Sequence, residues 1–430
     1  MTALIAGLDG QLPALHELYR DLHAHPELSF QEVRTARIVA SRLREQGWAV
    51  TEGVGGTGVV GVLSSGEGPV VLLRADMDAL PVREETGLSY ASTRTAVDAE
   101  GNEVPVMHAC GHDMHVTCLL GATALLAENR DAWRGTVVAV FQPAEEVGGA
   151  AAMIEDGFAE RFPRADVCLG QHVSPVPVGA VGTRPGPVMA AADTLRVRLF
   201  GRGGHGSRPE TTVDPVVMAA AIVTRLQTVV AREIGSGRLA VVTVGAIHAG
   251  TKANIIPSTA ELHISVRSET AAIREQVLAA VRRIIRGEAV ASGADRDPEV
   301  TITESFPVTV NDPAATGTVF RAFTETFGAE LVFTLPQAVT GSEDFGAFGA
   351  ALDAPSVYWM FGGTDHAAFG DIDREALLEN GIPPHIPGNH SALFAPVPDP
   401  TIGLGVRYLL TAAAPWLTVQ QGHSDVPGGN

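Results

Sequence analysis

Short apolar runs alternate with helical patterns over the first 190 residues of the chain. The run "VVAVF" at 137–141 has the length of a strand buried on both faces, whereas "DMHVTCLLGATALLAEN" at 113–129 has the length and apolar spacing of a helix. Strands of this kind that are separated by helices are typical of a mostly parallel sheet with helices on both faces. The pattern therefore predicts an α/β fold for this part of the chain.

The pattern changes near residue 190, where "TLRVRLF" at 194–200 alternates apolar and polar residues as a half-solvated antiparallel strand does. Further alternating strands and two long helical patterns complete a unit of ~110 residues, which is enough for a domain. After Thr301 the buried runs return. We therefore predict a discontinuous main domain at 1–188 and 301–430 that carries an inserted α+β domain at 189–300. The polar tail from Gln420 is predicted to be disordered.

Two local motifs have structural interpretations. The segment "SFQE" at 29–32 predicts a capping box, with Ser29 as the N-cap of a helix that ends at Gly47. The segment "GTGVVG" at 56–61 matches the dinucleotide-binding pattern, but β-rich sequence follows its third glycine where that pattern requires a helix. We interpret it as a glycine-rich turn between strands.

Composition and charge exclude several classes of function. The 430 residues include 30 Lys and Arg against 49 Asp and Glu, and a net charge of −19 repels the phosphates of nucleic acids. No apolar stretch approaches the ~20 residues that span a bilayer, and the first residues lack the basic region of a signal peptide. Three cysteines are too few for a disulfide framework. We expect a soluble cytoplasmic protein with reduced thiols and no nucleic-acid or membrane partner.

The segment "VMHACGHDMH" at 106–115 concentrates cysteine and histidine just before a predicted helix. Cys110 and His112 suit zinc and similar ions if the loop bends. A buried thiol beside histidines that cap the helix explains the same residues, and the segment alone does not decide between them. His115 could share a helix face with His112, support the ligands from behind, or lie at the surface.

Further candidate ligands follow other predicted strands. Glu145 and Glu146 follow "VVAVF", His172 follows "VCLG", and His390 comes after "VYWMF" and a long loop. Functional groups of a parallel sheet gather at the carboxyl ends of its strands, so these side chains can reach one edge. Of two adjacent glutamates, one can bind a metal while the other accepts a proton from water. For the pair taken alone, an ordinary acidic surface run or a helix N-terminus is the preferred interpretation.

Eight segments that occur in a fixed order carry a resemblance to a known family. They are "RADMDALPV" (74–82), "MHACGHDMH" (107–115), "FQPAEE" (141–146), "GQH" (170–172), "GRGGHGSRP" (201–209), "GTKANIIP" (250–257), "GSEDF" (341–345) and "NHS" (389–391). Together they resemble the aminoacylase and carboxypeptidase superfamily of two-metal hydrolases. Within it they are most similar to the cysteine-containing amidohydrolases, which include hippurate hydrolase, bacterial aminoacylases and auxin-conjugate hydrolases. The resemblance spans nearly the whole chain.

The resemblance implies a metal centre in the main domain. Two divalent ions per subunit (zinc, manganese, cobalt or nickel) would be bound by Cys110, His112, Glu146, His172 and His390. Glu145 would be the general base and acid. Asp76 and Asp113 would support the ligands. Arg74 stands where other branches carry a ligand histidine, and Cys110 would compensate for it.

The inserted domain would be the family's lid and dimerisation domain. On this resemblance His205 would reach the active site of the partner subunit in a homodimer and stabilise the oxyanion. Asn254 and Arg267 would help to hold the carboxylate of the substrate, which a guanidinium can bind bidentately. Without the resemblance, His205 is interpreted as a turn histidine and Arg267 as half of a surface ion pair.

The resulting hypothesis is a metal-dependent amidohydrolase that cleaves N-acyl amino acids or related small amide conjugates. A dipeptidase or aminopeptidase on the same scaffold is an alternative, but it would need an acidic partner for a free substrate amine. A non-catalytic relative that binds a metal or a ligand is a second alternative. The presence of Glu145 argues against it, because a binding protein needs no general base.

Overall fold

The computed structural model describes residues 2–372 and 374–417. The predicted disordered tail from Gln420 lies outside the described residues. Within the described residues the helices are α1 (Leu8–His23), α2 (Val33–Glu45), α3 (His112–Glu128), α4 (Gly149–Glu155), α5 (Phe158–Arg161), α6 (Pro215–Thr228), α7 (Ala271–Ala291), α8 (Pro313–Phe327), α9 (Gly346–Leu352), α10 (Arg374–Asn380) and α11 (Pro398–Leu417).

The strands are likewise numbered along the chain. They are β1 (Ala49–Val54), β2 (Gly58–Ser64), β3 (Val70–Asp76), β4 (Thr95–Val97), β5 (Glu103–Pro105), β6 (Thr136–Gln142), β7 (Val167–Pro177), β8 (Val181–Thr183), β9 (Gly186–Met189), β10 (Ala191–Phe200), β11 (Gly204–His205), β12 (Ala240–Ala249), β13 (Ile255–Ile256), β14 (Thr259–Ser268), β15 (Glu299–Phe306), β16 (Thr309–Asn311), β17 (Val332–Thr334) and β18 (Ser356–Thr364).

Two compact units make up the chain. The first contains 1–185, 311–336 and 347–430, and the second contains 186–310 and 337–346. The boundary predicted at Thr301 falls inside β15, which pairs with β10 and so continues the second unit to Val310. Residues 337–346 also join the second unit, where Val339 accepts a backbone hydrogen bond from Ala190 at 3.0 Å. The apolar pattern of the sequence alone predicts neither the pairing of β15 with β10 nor the contact between Ala190 and Val339.

The first unit is built on an eight-stranded sheet with the order β1-β2-β6-β3-β7-β18-β8-β17. Its central pairs, β6·β3, β3·β7 and β7·β18, are parallel, as is β8·β17. The pairs β1·β2, β2·β6 and β18·β8 are antiparallel. The predicted α/β fold with a mostly parallel sheet is confirmed.

Burial explains why α3 is apolar on every face. It packs against the sheet through β3 and against α1 and α11, and 14 of its 17 residues are buried. The strands β6 and β18 are buried along almost their whole length because helices cover the sheet. The N-terminus of α3 is therefore held firmly at the edge of the sheet where β3 and β6 end.

The second unit contains a four-stranded antiparallel sheet, β12-β14-β10-β15, with α6 and α7 packed on one face. Alternate residues of β14 are buried, and Leu262, Ile264 and Val266 join the helices in one apolar core. The sequence pattern predicted this α+β arrangement because alternation marks a sheet with one covered face.

One helical stretch among the described residues, Pro215–Glu233, has the length and composition to cross a membrane. Its buried residues include Met218, Ile222 and Leu226, which belong to the core of the second unit. Packing against the sheet therefore accounts for these buried residues, whereas Val216 and Val217 of the same helix are exposed.

The capping box predicted at 29–32 is wrong. Helix α2 begins at Val33, and the Ser29 hydroxyl donates a hydrogen bond to Asp78 Oδ2 at 2.7 Å. Glu27 caps α2 instead, accepting from Arg34 N at 2.9 Å and Thr35 N at 2.8 Å. A carboxylate with two oxygens can receive both N–H groups. The helix does end before Gly47. The glycine-rich turn between β1 and β2 lies at 55–57, and residues 58–61 of the predicted turn belong to β2.

A test of the α3·α11 packing uses Gly405. A Cβ at this position would lie 2.4 Å from Cys118 Sγ and 3.3 Å from Phe361 Cε2. Gly405→Ala should lower the free energy of unfolding by about 1–3 kcal/mol through overpacking. Gly317→Ala is the control, because nothing lies within 4 Å of a Cβ there. In α8 it should raise stability by about 0.5–1 kcal/mol, and equal effects in denaturant titrations would contradict this packing.

Candidate metal centre

Five elements of the first unit contribute polar side chains to one place. Asp76 ends β3, and Cys110 and His112 lie where the chain enters α3. Glu145 and Glu146 follow β6, and His172 lies within β7 rather than after it, because that strand continues to Pro177. His390 is in the loop before α11.

The structure brings the predicted ligands together in overlapping groups. Ligand atoms of Cys110, His112 and His172 all lie within 4.8 Å of one another, and the same holds for Cys110, Glu146 and His390. The five predicted ligands thus form two groups of three that share Cys110. A third group contains His112, Glu145 and Glu146. Two neighbouring ions can be held by such an arrangement.

Hydrogen bonds to neighbouring segments hold the loop that carries His390. His390 N donates to Ala109 O at 2.7 Å, and Asn389 Nδ2 donates to Cys110 O and Val173 O at 3.2 Å each. His390 has a φ of 69°, which is uncommon outside glycine and indicates a conformation that its surroundings enforce. These contacts place His390 Nε2 3.2 Å from Glu146 Oε1.

The histidine tautomers fit metal binding. His112 Nδ1 donates to Asp78 Oδ1 at 3.2 Å, and its buried Nε2 has no hydrogen-bond partner among the described residues. His172 Nδ1 donates to Val173 O at 2.7 Å, and its Nε2 lies 3.4 Å from Cys110 Sγ. Metal-binding histidines generally use one ring nitrogen on the ion and donate the other to a carboxylate or carbonyl. The residues present therefore fit divalent ions.

Both ring nitrogens of His115 make hydrogen bonds within the protein. Its Nδ1 donates to Asp76 Oδ1 at 2.6 Å, while Val173 N donates to its Nε2 at 2.8 Å. His115 thus fixes the carboxylate of Asp76 and the backbone beside His172. Asp76 also accepts from Arg74 Nη1 at 2.6 Å, and Arg74 Nε donates to Gln142 at 2.8 Å. Arg74 is therefore part of a buried network behind the cluster.

Asp78 is the residue on which the site most depends, and its role was not predicted from the sequence. Besides His112 and Ser29, it accepts from Glu145 N at 3.0 Å and from Glu146 N at 3.1 Å. Although burial raises the pKa of Asp78, the hydrogen bond from His112 lowers it overall. In the sequence, Asp78 is the second acid of "RADMD" at 74–78, and this motif is the feature that could have indicated its role.

The adjacent glutamates lie in a tight turn. Ala144, which precedes them, has a φ of 54°, and Glu145 is only 6% exposed. An exposed acidic run is thereby excluded for Glu145. Its Oε2 lies 4.0 Å from His112 Nε2, so the carboxylate stands beside the ligand cluster.

The protonation states of the cluster couple metal binding to pH. Burial, together with the Glu146 carboxylate, raises the pKa of the Cys110 thiol. Burial and the nearby His115 hold the pKa of His172 well below its usual range, which leaves its ring neutral. Hydrogen bonds with Cys110 and Glu146 raise the pKa of His390 to about 10. An ion must displace protons from Cys110 and His390, so its affinity should fall in acid.

Asp113 lies behind the cluster, paired with a histidine that the sequence analysis did not identify. His23 Nδ1 donates to Asp113 Oδ2 at 2.7 Å, and His23 Nε2 donates to Glu84 Oε1 at 3.1 Å. All three side chains are fully buried. The pair links α1 to the first turn of α3, directly beside His112.

The remaining predicted residues lie in the second unit. His205 and Asn254 are exposed and line one cavity of about 770 Å³. Gly206 N donates to Asn254 O at 2.9 Å, and Ser207 N donates to His205 Nδ1 at 3.1 Å. Arg267 is half-buried on β14 and donates to Ser342 Oγ at 2.9 Å. It is not among the residues that line this cavity.

Comparison with known proteins identifies a family and close relatives. The model of "Peptidase family M20/M25/M40" matches residues 72–383. Thermostable carboxypeptidase 1 of Saccharolobus solfataricus is 39% identical, over 80% of this chain and 85% of that protein. Hippurate hydrolase of Campylobacter jejuni is 39% identical, over 77% of this chain and 84% of that protein.

A solved structure with the same fold is a Bacillus subtilis protein described as a dinuclear metal binding peptidase from the M20 family. It superposes with a TM-score of 0.73 at 28% identity and covers 94% of this chain and 98% of that one.

Replacing Cys110 tests its place in the cluster. Cys110→Ser should lower the metal content from about two ions per chain to about one or fewer, because the thiol belongs to both groups of three. Cys168→Ser is the control, since that thiol is buried elsewhere in β7. Elemental analysis of both variants checks the result, and an unchanged metal content in Cys110→Ser would remove it as a ligand.

The His23 pair predicts a pH-dependent stability. Burial alone would lower the pKa of His23, but the hydrogen bonds to Asp113 and Glu84 raise it to about 10. The stabilisation is therefore complete below the unfolded pKa of about 6.5 and is lost as the pH rises through about 10.

His23→Gln should cost on the order of 3 kcal/mol at neutral pH and less as the pH approaches 10. Urea unfolding at several pH values measures this, with His25→Gln as the control at a half-exposed position. A cost that does not change with pH would show that the charge of His23 is not involved.

Proposed function

Because the chain belongs to peptidase family M20/M25/M40, we propose that it is a hydrolase that binds two divalent ions and cleaves the amide bond of N-acyl amino acids or related conjugates. The products are a carboxylic acid and an amino acid. The name of the Campylobacter jejuni relative, hippurate hydrolase, supports this substrate class.

One observation carries the proposal: a buried carboxylate, Glu145, stands beside a ligand cluster to which its neighbour Glu146 contributes. Asp78 holds the backbone N–H groups of both residues. The two adjacent acids are therefore oriented by one anchor but are available for different tasks. A site that only binds metal has no use for the second acid.

Cys110, His112, Glu146, His172 and His390 would hold the two ions. When bound, such ions act as Lewis acids and lower the pKa of water. Glu145 would take a proton from the attacking water and deliver it to the nitrogen of the leaving amino acid. Asp78, Asp76 and Asp113 would keep the histidines and the turn oriented while this proton moves.

The second unit would contribute substrate binding. We assign His205 to the developing oxyanion of the tetrahedral intermediate, where its imidazole donates a hydrogen bond. Asn254 and Arg267 would hold the carboxylate of the amino-acid half. In a homodimer formed through this unit, His205 would act on the site of the partner subunit. A cytoplasmic location agrees with the reduced state of the three buried cysteines.

Two alternatives remain distinguishable. A peptidase that requires a free substrate amine would need an acid near that amine. A carboxypeptidase, which the Saccharolobus solfataricus relative is by its name, acts on substrates that carry a free carboxylate, as N-acyl amino acids do. A non-catalytic metal-binding relative would retain its properties without Glu145.

A hydrolysis panel with a base-defective variant tests the proposal. The wild type should release amino acids from N-acetyl and N-benzoyl substrates with zinc, manganese, cobalt or nickel, and should not require a free α-amine. Glu145→Gln should lower kcat by about 1,000-fold, because general acid–base catalysis contributes up to about 10⁴-fold. It should retain metal and fold, as measured by elemental analysis and thermal melting. Full activity of Glu145→Gln, or cleavage of dipeptides alone, would contradict the proposal.

A further inference from the structure

Two buried carboxylates receive three consecutive N–H groups of the turn that carries the glutamate pair. Ala144 N donates to Glu32 Oε1 at 2.8 Å, and the N–H groups of Glu145 and Glu146 donate to Asp78. Glu32 is fully buried and lies 112 positions before Ala144 in the chain. The turn is therefore positioned by two side chains from outside its own segment.

The turn needs such support at Ala144. Its φ of 54° is a left-handed conformation that costs free energy for any residue with a Cβ. Such a residue keeps its conformation only where surrounding contacts enforce it. The hydrogen bond to Glu32 is a contact of this kind, and it lies one residue before Glu145.

The same oxygen of Glu32 holds a second residue of this type. Phe30 N donates to Glu32 Oε1 at 3.0 Å, and Phe30 has a φ of 62°. The Thr57 hydroxyl donates to Glu32 Oε2. Burial raises the pKa of Glu32 to about 7, and the charge of Asp78 adds to this. An acid is thus kept at a buried position where its charged form is disfavoured.

We propose that Glu32 is a positioning residue for the turn that contains Ala144, Glu145 and Glu146. By accepting the hydrogen bond from Ala144 N, Glu32 sets the orientation of the Glu145 side chain. This inference rests on the proposed function, because it assigns a part in the same reaction. Among the described residues the Glu32 side chain accepts hydrogen bonds from Phe30, Thr57 and Ala144, none of which belongs to the ligand cluster. It acts through Ala144, and its loss should affect the rate of the chemical step more than substrate binding.

The chain offers a matched control in Glu27. This acid also accepts backbone N–H groups, from Arg34 and Thr35 at the start of α2. It lies in the same segment as Glu32, but its side-chain hydrogen bonds go to α2 and not to the turn. Loss of Glu27 should destabilise α2 without moving Glu145.

The kinetic experiment compares Glu32→Ala, Glu32→Gln and Glu27→Ala, all loaded with metal. Glu32→Ala should lower kcat by about 10- to 100-fold with KM changed less than about twofold, since a small misplacement of a catalytic group has effects of this size. Glu32→Gln should recover most of kcat, because its amide oxygen can still accept from Phe30 and Ala144. Glu27→Ala should keep kcat within about twofold while lowering the melting temperature.

Hydrogen–deuterium exchange of the same variants reports on the turn without using activity. Glu32→Ala should speed exchange at Ala144 and its neighbours in the peptide 143–149, and Glu27→Ala should speed it only at the start of α2. If Glu32→Ala does not fold, Thr57→Val weakens the same link. It should lower kcat by about threefold at unchanged KM.

Each outcome bears on the inference. Unchanged kcat in Glu32→Ala, or an equal loss of kcat in Glu27→Ala, overturns it, as does unchanged kcat in Thr57→Val where Glu32→Ala does not fold. If the wild type cleaves no N-acyl amino acid, the proposed function fails and the exchange measurement decides: faster exchange at 143–149 in Glu32→Ala alone supports the positioning role, and unchanged exchange overturns it.

Discussion

The buried carboxylate of Asp78 is the constraint on which the rest of the site depends. It accepts from the imidazole of His112, from the N–H groups of Glu145 and Glu146, and from the Ser29 hydroxyl. An acidic side chain with two oxygens can receive all four donors, and hydrogen bonds to an ionised acceptor are stronger than those between neutral groups. One anion thus orients a candidate ligand, a candidate base and the turn between strand and helix.

Around Asp78, the candidate ligands are backed by further buried polar side chains that hold them in place. Cys110 belongs to both groups of three, to one with His172 and to the other with His390. Behind them His115, Asp76 and Arg74 form a hydrogen-bonded row that fixes the end of β3 and the middle of β7 at Val173. Buried polar groups are stable only when their partners are present, so the network resists rearrangement.

Much of this could be predicted from the sequence. Apolar runs and alternation identified the parallel sheet and the α+β unit, because period and burial are local properties. The places of Cys110, His112, Glu145, Glu146, His172 and His390 at one edge followed from strand ends and the family motifs. The structure shows these six together.

The residues that were missed depend on tertiary contacts. Ser29 and Glu32 match a capping box by spacing, yet their side chains reach Asp78 and Ala144, which the local pattern does not reveal. His23 lies in an ordinary helix and gains its role from Asp113, 90 positions away. The boundary predicted at Thr301 is wrong for the same reason, because the pairing of β15 with β10 is a tertiary contact.

The loop around His390 has a consequence for how the site comes into being. Asn389 donates a hydrogen bond to the backbone of Cys110 across a separation of 279 positions, and the chain between them includes all of the second unit. His390 is therefore synthesised long after Cys110. An ion bound by both Cys110 and His390 would close this long loop, and by binding only the closed chain it would stabilise the folded state through mass action. Such a metal centre would link two parts of the polypeptide that are far apart along the sequence.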